Sequence, residues 1–410
     1  MLFLHIMNIV PDIKPQRLAI KLKPSAEKMV KRGHPWIFEN SILKQSIKGS
    51  AGDLAIIYDN KKNTILAIGL YDPYSPIRIK LIQFKKAAQI NSEWFGNRIN
   101  QAFAIRKPLL ETNTNSYRLL FGENDHMPGF IADVYDNVLV IKLYSHIWFP
   151  YLNWIVPHLI QQSDCKTVVM RFSRSLQTGG QTYGLDDGSI LYGSLENEVV
   201  IFKEHSVLFS ANVIKGHKTG YFLDHRHNRK KVGDLSKGRT VLDVFSYAGG
   251  FSVHALAGQA KEVTSLDISR QALEMAKDNA SLNTHSGNHS IMVADAFEGL
   301  QSLISQKKKF DIVVIDPPSF AKRESEIKKA KNSYVRLAKL GAQLVNKKGI
   351  LVLASCSSRV VAEEFFEICE ENISGYGRSF KLLDKTYHDI DHPIAFPEGA
   401  YLKCGYYQLN

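Results

Sequence analysis

Cysteine is scarce in this chain of 410 residues: four occur, Cys165, Cys356, Cys369 and Cys404. No two of them form a CxxC pair and none joins a Cys/His cluster at zinc spacing, which argues against a disulfide-stapled secreted fold and against a metal site. A reducing, cytoplasmic setting is expected. Long apolar runs are also missing. No stretch reaches the ~20 uncharged residues that cross a bilayer, so no membrane partner is expected. The opening MLFLHIMNIV is apolar but has no basic flank and ends at Pro11. It reads not as an export signal but as a terminal strand, or as an upstream extension before a natural start at Met7. There is no internal repeat and no low-complexity tract. With 44% hydrophobic and 22% charged residues the composition is ordinary for a globular protein, and the length suits two or three domains.

Acidic residues are under-represented, above all near the N-terminus. The formal net charge is +12, and residues 1–90 hold fifteen Lys and Arg against six Asp and Glu. A polyanion is a natural partner for such a face. Residues 17–85 read as short β segments broken by turns, namely RLAIKL, DLAIIYD, TILAIGLYD and IRIKLIQF. Within them Lys31-Arg32-Gly33-His34-Pro35-Trp36-Ile37-Phe38 alternates cations and rings across a bend, a pattern suited to RNA phosphates and unstacked bases. Trp36 and Phe38 have the alternative of filling the small domain's core, so Lys31, Arg32 and His34 are the RNA-facing candidates.

Residues 92–200 begin with a helical stretch, SEWFGNRINQAFAIRKPLL, and continue through RLLFGENDHMPGFIADVY, where Gly122 to Gly129 reads as a tight loop between two strands. From about residue 201 strands and helices alternate, the rhythm of a parallel α/β sheet. Strands are expected at 240–246, 262–267, 291–294, 310–316 and 350–355, and helices at about 250–258, 269–283, 296–307, 325–346 and 360–374.

Chemistry gathers at the carboxyl ends of those strands, where open α/β sheets bind ligands. TVLDVFS runs into YAGGFS, and the next strand ends at Asp267, 24 residues after Asp243. A glycine-bearing turn followed by an acid on the second strand holds an adenosine, the carboxylate accepting from the ribose hydroxyls. The turn is not GxGxxG, which favours a nucleoside without pyrophosphate, such as S-adenosylmethionine, over a dinucleotide. Asp267 has the plainer alternative of a helix N-cap. Asp295, at the third strand's end, is placed to accept from the adenine amine. The fourth strand ends in FDIVVIDPPSF, delivering Asp316 ahead of two prolines, an element typical of methyltransferases that act on an amine or a base.

The fifth strand, GILVLASCSSRV, brings Cys356 to the same edge, ahead of a helix whose dipole, with Arg359, is expected to favour thiolate. Thiolate addition at pyrimidine carbon 6 makes carbon 5 nucleophilic toward a methyl donor, and Asp316 can stabilise the adduct at ring N3 and the exocyclic amine. The competing reading keeps the same fold and cofactor but methylates a base nitrogen, with Cys356 inert.

Taken together, GHPWIF, RLLFGENDHMPGFIADVY, KTGYFLDHRHNR, DVFSYAGGFS, IDPPSF, SCSS and DHPIAFPEGAYLK resemble the bacterial 23S rRNA (cytosine-C5) methyltransferases that carry a PUA domain. The resemblance runs over residues 17–410. It implies a multidomain enzyme: a small β-barrel PUA domain that binds RNA at 17–88, a central α+β domain at 89–200, and a Rossmann-like class I α/β methyltransferase domain at 201–410. It further implies that Lys218, Tyr221, Asp224 and Arg226 line the methionine end of S-adenosylmethionine and that Phe245, Ser246, Tyr247 and Gly249 form the loop beneath it. Asp267 would then hold the ribose, Asp295 the adenine and Asp316 the target base, with Cys356 as nucleophile. Large-subunit rRNA is the implied partner, and a homodimer is allowed. This chain departs from the family in carrying His217 and His225 where Gln is usual, and Ser319 where other RNA cytosine methyltransferase families place a second cysteine.

Overall fold

The computed structural model describes residues 8–178 and 180–410. The apolar start at residues 1–7, with the expectation about Met7, lies outside the described residues. The chain divides into two compact units: the first runs up to Phe202 and adds Ser210–Leu223 and Ile390–Gly399, and the second holds Lys203–Phe209, Asp224–Asp389 and Ala400–Asn410.

In the first unit, alternation within Arg17–Leu22 buries Leu18, Ile20 and Leu22. This strand runs parallel to Leu54–Tyr58 and antiparallel to Ile42–Gln45 in a six-stranded sheet that also contains Ile65–Tyr71 and Ile79–Phe84. A five-stranded sheet follows, ordered Ile190–Tyr192, Thr167–Phe172, Val138–Leu143, Phe130–Tyr135, Ser116–Phe121. The helix expected from the sequence forms as Ser92–Leu110, its N-cap Asn91 accepting from Trp94 N.

The two sheets of this unit share a core, since Ile68, Leu70 and Ile82 cluster with Phe95, Ile99, Trp148 and Leu152. Two buried Arg–carboxylate forks brace it, Arg106 on Asp125 at 2.6 and 2.9 Å and Arg118 on Asp133 at 2.8 Å twice.

The second unit is built on a seven-stranded sheet. Its strands are β1 (Thr240–Val244), β2 (Glu262–Asp267), β3 (Asn288–Val293), β4 (Phe310–Ile315), β5 (Val345–Ser355), β6 (Phe380–Thr386) and β7 (Lys403–Leu409), in the order β3-β2-β1-β4-β5-β7-β6. The first five are parallel, as their apolar, alternating-element sequence predicts, whereas β7 pairs antiparallel with β5 and with β6. That antiparallel edge escapes the sequence reading because KLLDKT is largely exposed and lacks strand periodicity.

The helices are α1 (Arg226–Leu235), α2 (Gly250–Ala257), α3 (Arg270–Ser281), α4 (Ala296–Ser305), α5 (Ile327–Leu344) and α6 (Ala362–Gly375). Leu273, Ala276 and Ala280 of α3 are buried as their spacing predicts. Under α1, Glu204 accepts from Arg229 at 2.7 and 2.6 Å and lies 2.9 Å from His254 Nε2. Burial opposes the Glu204 charge, but Arg229 and His254 hold its carboxyl well below the usual range. Sheet order reverses between β1, which neighbours β2, and β4, the position where such sheets open a crevice.

Trp148 is fully buried in the shared core and donates Nε1 to Pro128 O at 2.8 Å. Trp148→Ala is therefore expected to cost about 3–5 kcal/mol, read as a fall in the urea midpoint; an unchanged midpoint would show that this core adds little.

Candidate active site

The turn after β1 is conformationally demanding. Phe245, Tyr247 and Gly249 all take positive φ, at 62°, 47° and 79°. For bulky residues this costs of order 1–3 kcal/mol each and persists only where the surroundings enforce it. They do: Ser246 N donates to Leu266 O, Tyr247 N to Asp267 Oδ2 at 2.9 Å, and Asn279 Nδ2 to Ala248 O at 3.0 Å. Glycine is required at 249 twice over, because a Cβ there would stand 2.7 Å from the Ala276 Cβ.

Carboxylates converge beside this turn. Asp267 spends one oxygen on Tyr247 N and the other on Ser269 N at 2.9 Å. It is not a helix cap, since Ser269 caps α3; each oxygen keeps a lone pair for a further donor. Asp295 does cap a helix, its Oδ1 accepting from Phe297 N and Glu298 N at the start of α4, two residues past the end of β3.

Asp243, on β1, is buried, with Oδ2 accepting from Ser252 N and Oγ while Oδ1 has no partner among the described residues. Burial, reinforced by the charges of Asp316 and Asp267, raises its pKa to about 7. Buried Ser246 Oγ likewise has no described partner. A turn narrow enough to need glycine, two orphaned polar atoms and a carboxylate with spare lone pairs fit a polar nucleoside ligand without phosphates.

Asp316 follows β4 and is partly exposed, with its Oδ1 3.3 Å from His225 Nε2. Burial works against a charged His225, but Asp316 outweighs it and raises the imidazole's pKa. Asp224 accepts from Tyr401 OH at 2.9 Å. Arg226, expected at the methionine end, is fully buried and its Nη1 pairs with Asp389 at 3.0 Å.

Cys356 lies just beyond β5, and its Sγ sits 3.7 Å from the carbonyl oxygen of Pro317, the residue after Asp316. It is partly exposed, whereas Cys165, Cys369 and Cys404 are buried; burial pushes the Cys165 thiol up to about 11 and those of Cys369 and Cys404 higher still. Support for a thiolate comes from a different source than the sequence suggests. Helix α6 starts only at Ala362, with Glu363 and Glu364 in its first turn, and Arg359 Nε donates to Lys322 O. A dipole acting within one turn is therefore misplaced.

The nearby cation is Lys403 of β7, in register with Ser355. Its buried ammonium donates to the carbonyls of Ser357, Val360 and Tyr401, clamping the loop that follows the cysteine. Burial lowers its pKa to about 8 while Cys356 pulls it back up. The sequence offers no signal for this role beyond the YLK at the end of a matched motif.

Lys218 and Tyr221 belong to the first unit. There Lys218 O accepts from Lys142 Nζ, and Tyr221 N and O both meet Tyr135 OH at 3.2 Å. Three of the matched motifs also meet in that unit: Trp36 Nε1 donates to Glu123 at 2.9 Å, its ring meets Phe396 at 5.3 Å, and Asn124 Oδ1 accepts from Ala395 N. Of the RNA-facing candidates, Arg32 is exposed, Lys31 pairs with Glu27 and Asp59, and His34 lies 3.4 Å from Glu398. Trp36 is half-buried and Phe38 exposed, so the core role weighed for them falls to Ile37.

Two outcomes follow. The Asp243 carboxyl, with its raised pKa, favours the folded state below pH ~4, where an unfolded Asp titrates, and that advantage is lost as pH rises through about 7. Asp243→Asn should flatten the fall in urea midpoint between mildly acid and mildly alkaline pH; parallel profiles would contradict this. Lys403→Met should slow iodoacetamide labelling of Cys356 at neutral pH by about three- to tenfold, followed by peptide mass spectrometry; an unchanged rate would remove Lys403 from the thiol's electrostatics.

Residues 132–397 match the S-adenosylmethionine-dependent methyltransferase family and residues 20–84 a PUA-like domain. The ribosomal RNA large subunit methyltransferase of Deinococcus radiodurans is 40% identical over 406 residues, spanning 98% of this chain and 99% of that protein. Ribosomal RNA large subunit methyltransferase I of Tolumonas auensis is 36% identical over 390 residues, spanning 94% and 97%. In fold, the chain is similar to SMU.776, a candidate methyltransferase solved with SAH, at TM-score 0.79 and 22% identity over 96% of this chain and 100% of that one. The likeness to a candidate SAM-dependent methyltransferase from Streptococcus mutans is comparable, at TM-score 0.79 and 21% identity over 95% and 99%. With a PUA-like domain ahead of a mixed-sheet catalytic domain, and with relatives matched along nearly its whole length, the chain belongs to the S-adenosylmethionine-dependent ribosomal RNA large subunit methyltransferase family.

Proposed function

We propose that this protein methylates carbon 5 of a cytosine in large-subunit ribosomal RNA, through a covalent adduct on Cys356. The observation that carries the reading is a partly exposed thiol beside the segment that bears Asp316: Cys356 Sγ lies 3.7 Å from the backbone carbonyl oxygen of Pro317, the next residue after Asp316. Nitrogen methylation needs no such thiol.

S-adenosylmethionine supplies an electrophilic methyl when bound. The turn at Phe245, Ser246, Tyr247 and Gly249, with Asp267 and Asp295, holds its nucleoside, and Lys218, Tyr221, Asp224 and Arg226 serve the methionine end. Cys356 adds as thiolate to carbon 6 of the pyrimidine, with Lys403 as the cation that favours the thiolate. Electron density moves toward N3 and carbon 5, and Asp316, protonated on one oxygen, donates to N3 while its other oxygen accepts from the exocyclic amine. Once carbon 5 carries the methyl, a general base takes its proton and the thiolate leaves from carbon 6, which restores the aromatic ring.

The target base must leave its stack, at a cost of a few kcal/mol, which favours unpaired or unassembled RNA inside the cell. The working division is RNA binding at residues 17–88, a central α+β domain at 89–200 and catalysis at 201–410. Lys31, Arg32 and His34 supply RNA contacts, and Arg32, exposed beside two internally compensated neighbours, contributes most of the charge.

Cys356→Ala should reduce methyl transfer to large-subunit RNA by at least about 10³-fold while leaving S-adenosylmethionine affinity within twofold, and nucleoside mass spectrometry should identify the wild-type product as 5-methylcytidine. Retained turnover, or an N-methylated product, favours the nitrogen reading instead. Arg32→Gln should lower the salt slope of RNA binding by about one without changing cofactor affinity; an unaltered slope would take Arg32 out of the interface.

A further inference from the structure

His225 lies directly ahead of α1, and its surroundings fix which of its nitrogens carries the proton. Asn228 Oδ1 accepts from Thr386 Oγ1 at 2.5 Å and from Tyr406 OH at 2.9 Å. That leaves the Asn228 amide NH₂ facing His225 Nδ1, 3.1 Å away. Nδ1 must accept, so the proton of a neutral ring is on Nε2. Nε2 is buried 3.3 Å from Asp316 Oδ1, an ion-pair distance, and makes no hydrogen bond among the described residues. The ring is held edge-on to Phe251, with centroids 5.6 Å apart. The contact is longer than a well-formed hydrogen bond, as catalytic contacts often are before the reacting partner is in place.

Asp316 needs such a donor. It shares its electrostatic surroundings with Asp243, and an unconstrained carboxylate there is free to rotate away from the acceptor. We propose that His225 is a positioning residue for Asp316: its Nε2–H donates to Oδ1 and holds the carboxyl group in plane, so that Oδ1 also accepts from the exocyclic amine of the target cytosine while the Oδ2 hydroxyl faces N3. Nε2 keeps its proton whether the ring is neutral or cationic, so the contact survives titration of the ring. Its effect falls on the step in which charge develops on the base rather than on cofactor binding. The inference rests on the cytosine carbon-5 reading above.

The test compares donor and non-donor side chains of similar size in the full chain, His225→Gln against His225→Met and His225→Leu, with folding checked by thermal melting. Single-turnover methyl transfer is measured on a large-subunit RNA fragment, alongside S-adenosylmethionine affinity. The Gln amide donates as the imidazole does, so His225→Gln should stay within about threefold of wild type. Whichever non-donor variant is folded should lose about ten- to a hundredfold in rate, with cofactor affinity within twofold. Equal rates in the Gln variant and a folded non-donor variant, whether high or low, would overturn the proposal. So would a loss that appears mainly in cofactor affinity. Failure of the underlying reading has a different signature, an N-methylated product or an active Cys356→Ala enzyme, and is independent of the ranking of the His225 variants.

Discussion

The second unit is organised around an electrostatic problem: Asp243, Asp267 and Asp316 come to one end of the same sheet, close enough that Asp243 feels the charges of the other two. Like charges in a dry setting cannot all stay ionised without compensation. Each is settled differently. Asp243, fully enclosed, keeps its proton toward neutrality. Asp267 takes two backbone N–H groups and in doing so fixes the left-handed turn. Asp316, partly exposed, faces a buried histidine. The rest of the proposed site follows from these solutions, because the turn that Asp267 fixes and the carboxylate that His225 faces are the parts assigned above to cofactor and base.

A second balance holds the thiol. Burying an ammonium costs several kcal/mol unless it is fully hydrogen-bonded, and Lys403 meets that demand with three carbonyls, two of them in the loop after Cys356. One side chain thereby sets both the path of the loop and the local sign of the field. It reaches this place only because β7 inserts antiparallel beside β5, so the strand that looks like an appendage to a parallel sheet positions the cation.

Much of this was legible in the sequence. Period-2 alternation in Arg17–Leu22 and the apolar runs of β1 to β5 specify strands through burial, and the helical spacing of Leu273, Ala276 and Ala280 specifies a packed face. Acids and a cysteine two residues or fewer beyond apolar runs are visible as edge residues because a strand's end has a fixed address in such a sheet. What stayed hidden depends on long-range pairing. KLLDKT carries too little apolar periodicity to announce β6, and nothing local says that Lys403 will lie beside Ser355. The partner of Arg226, Asp389, is far away in sequence and carries no local mark. The same limit applies to Trp36, whose ring reads as core or as RNA platform until Glu123 and Phe396 come to it from distant segments. A helix dipole assigned to Cys356 fails for a smaller reason, a start at Ala362 that local sequence places only within a few residues.

The central claim is that Cys356 bonds to the base during turnover, and a trap tests it most directly. RNA carrying 5-fluorocytidine at the target position has no carbon-5 proton to lose, so an adduct formed through carbon 6 cannot resolve after methyl transfer. Incubation with S-adenosylmethionine should give a protein–RNA species stable to denaturing electrophoresis, with the linkage mapped to Cys356 and absent in Cys356→Ser. Full methyl transfer without any covalent species, or a linkage mapped to another residue, would contradict the account.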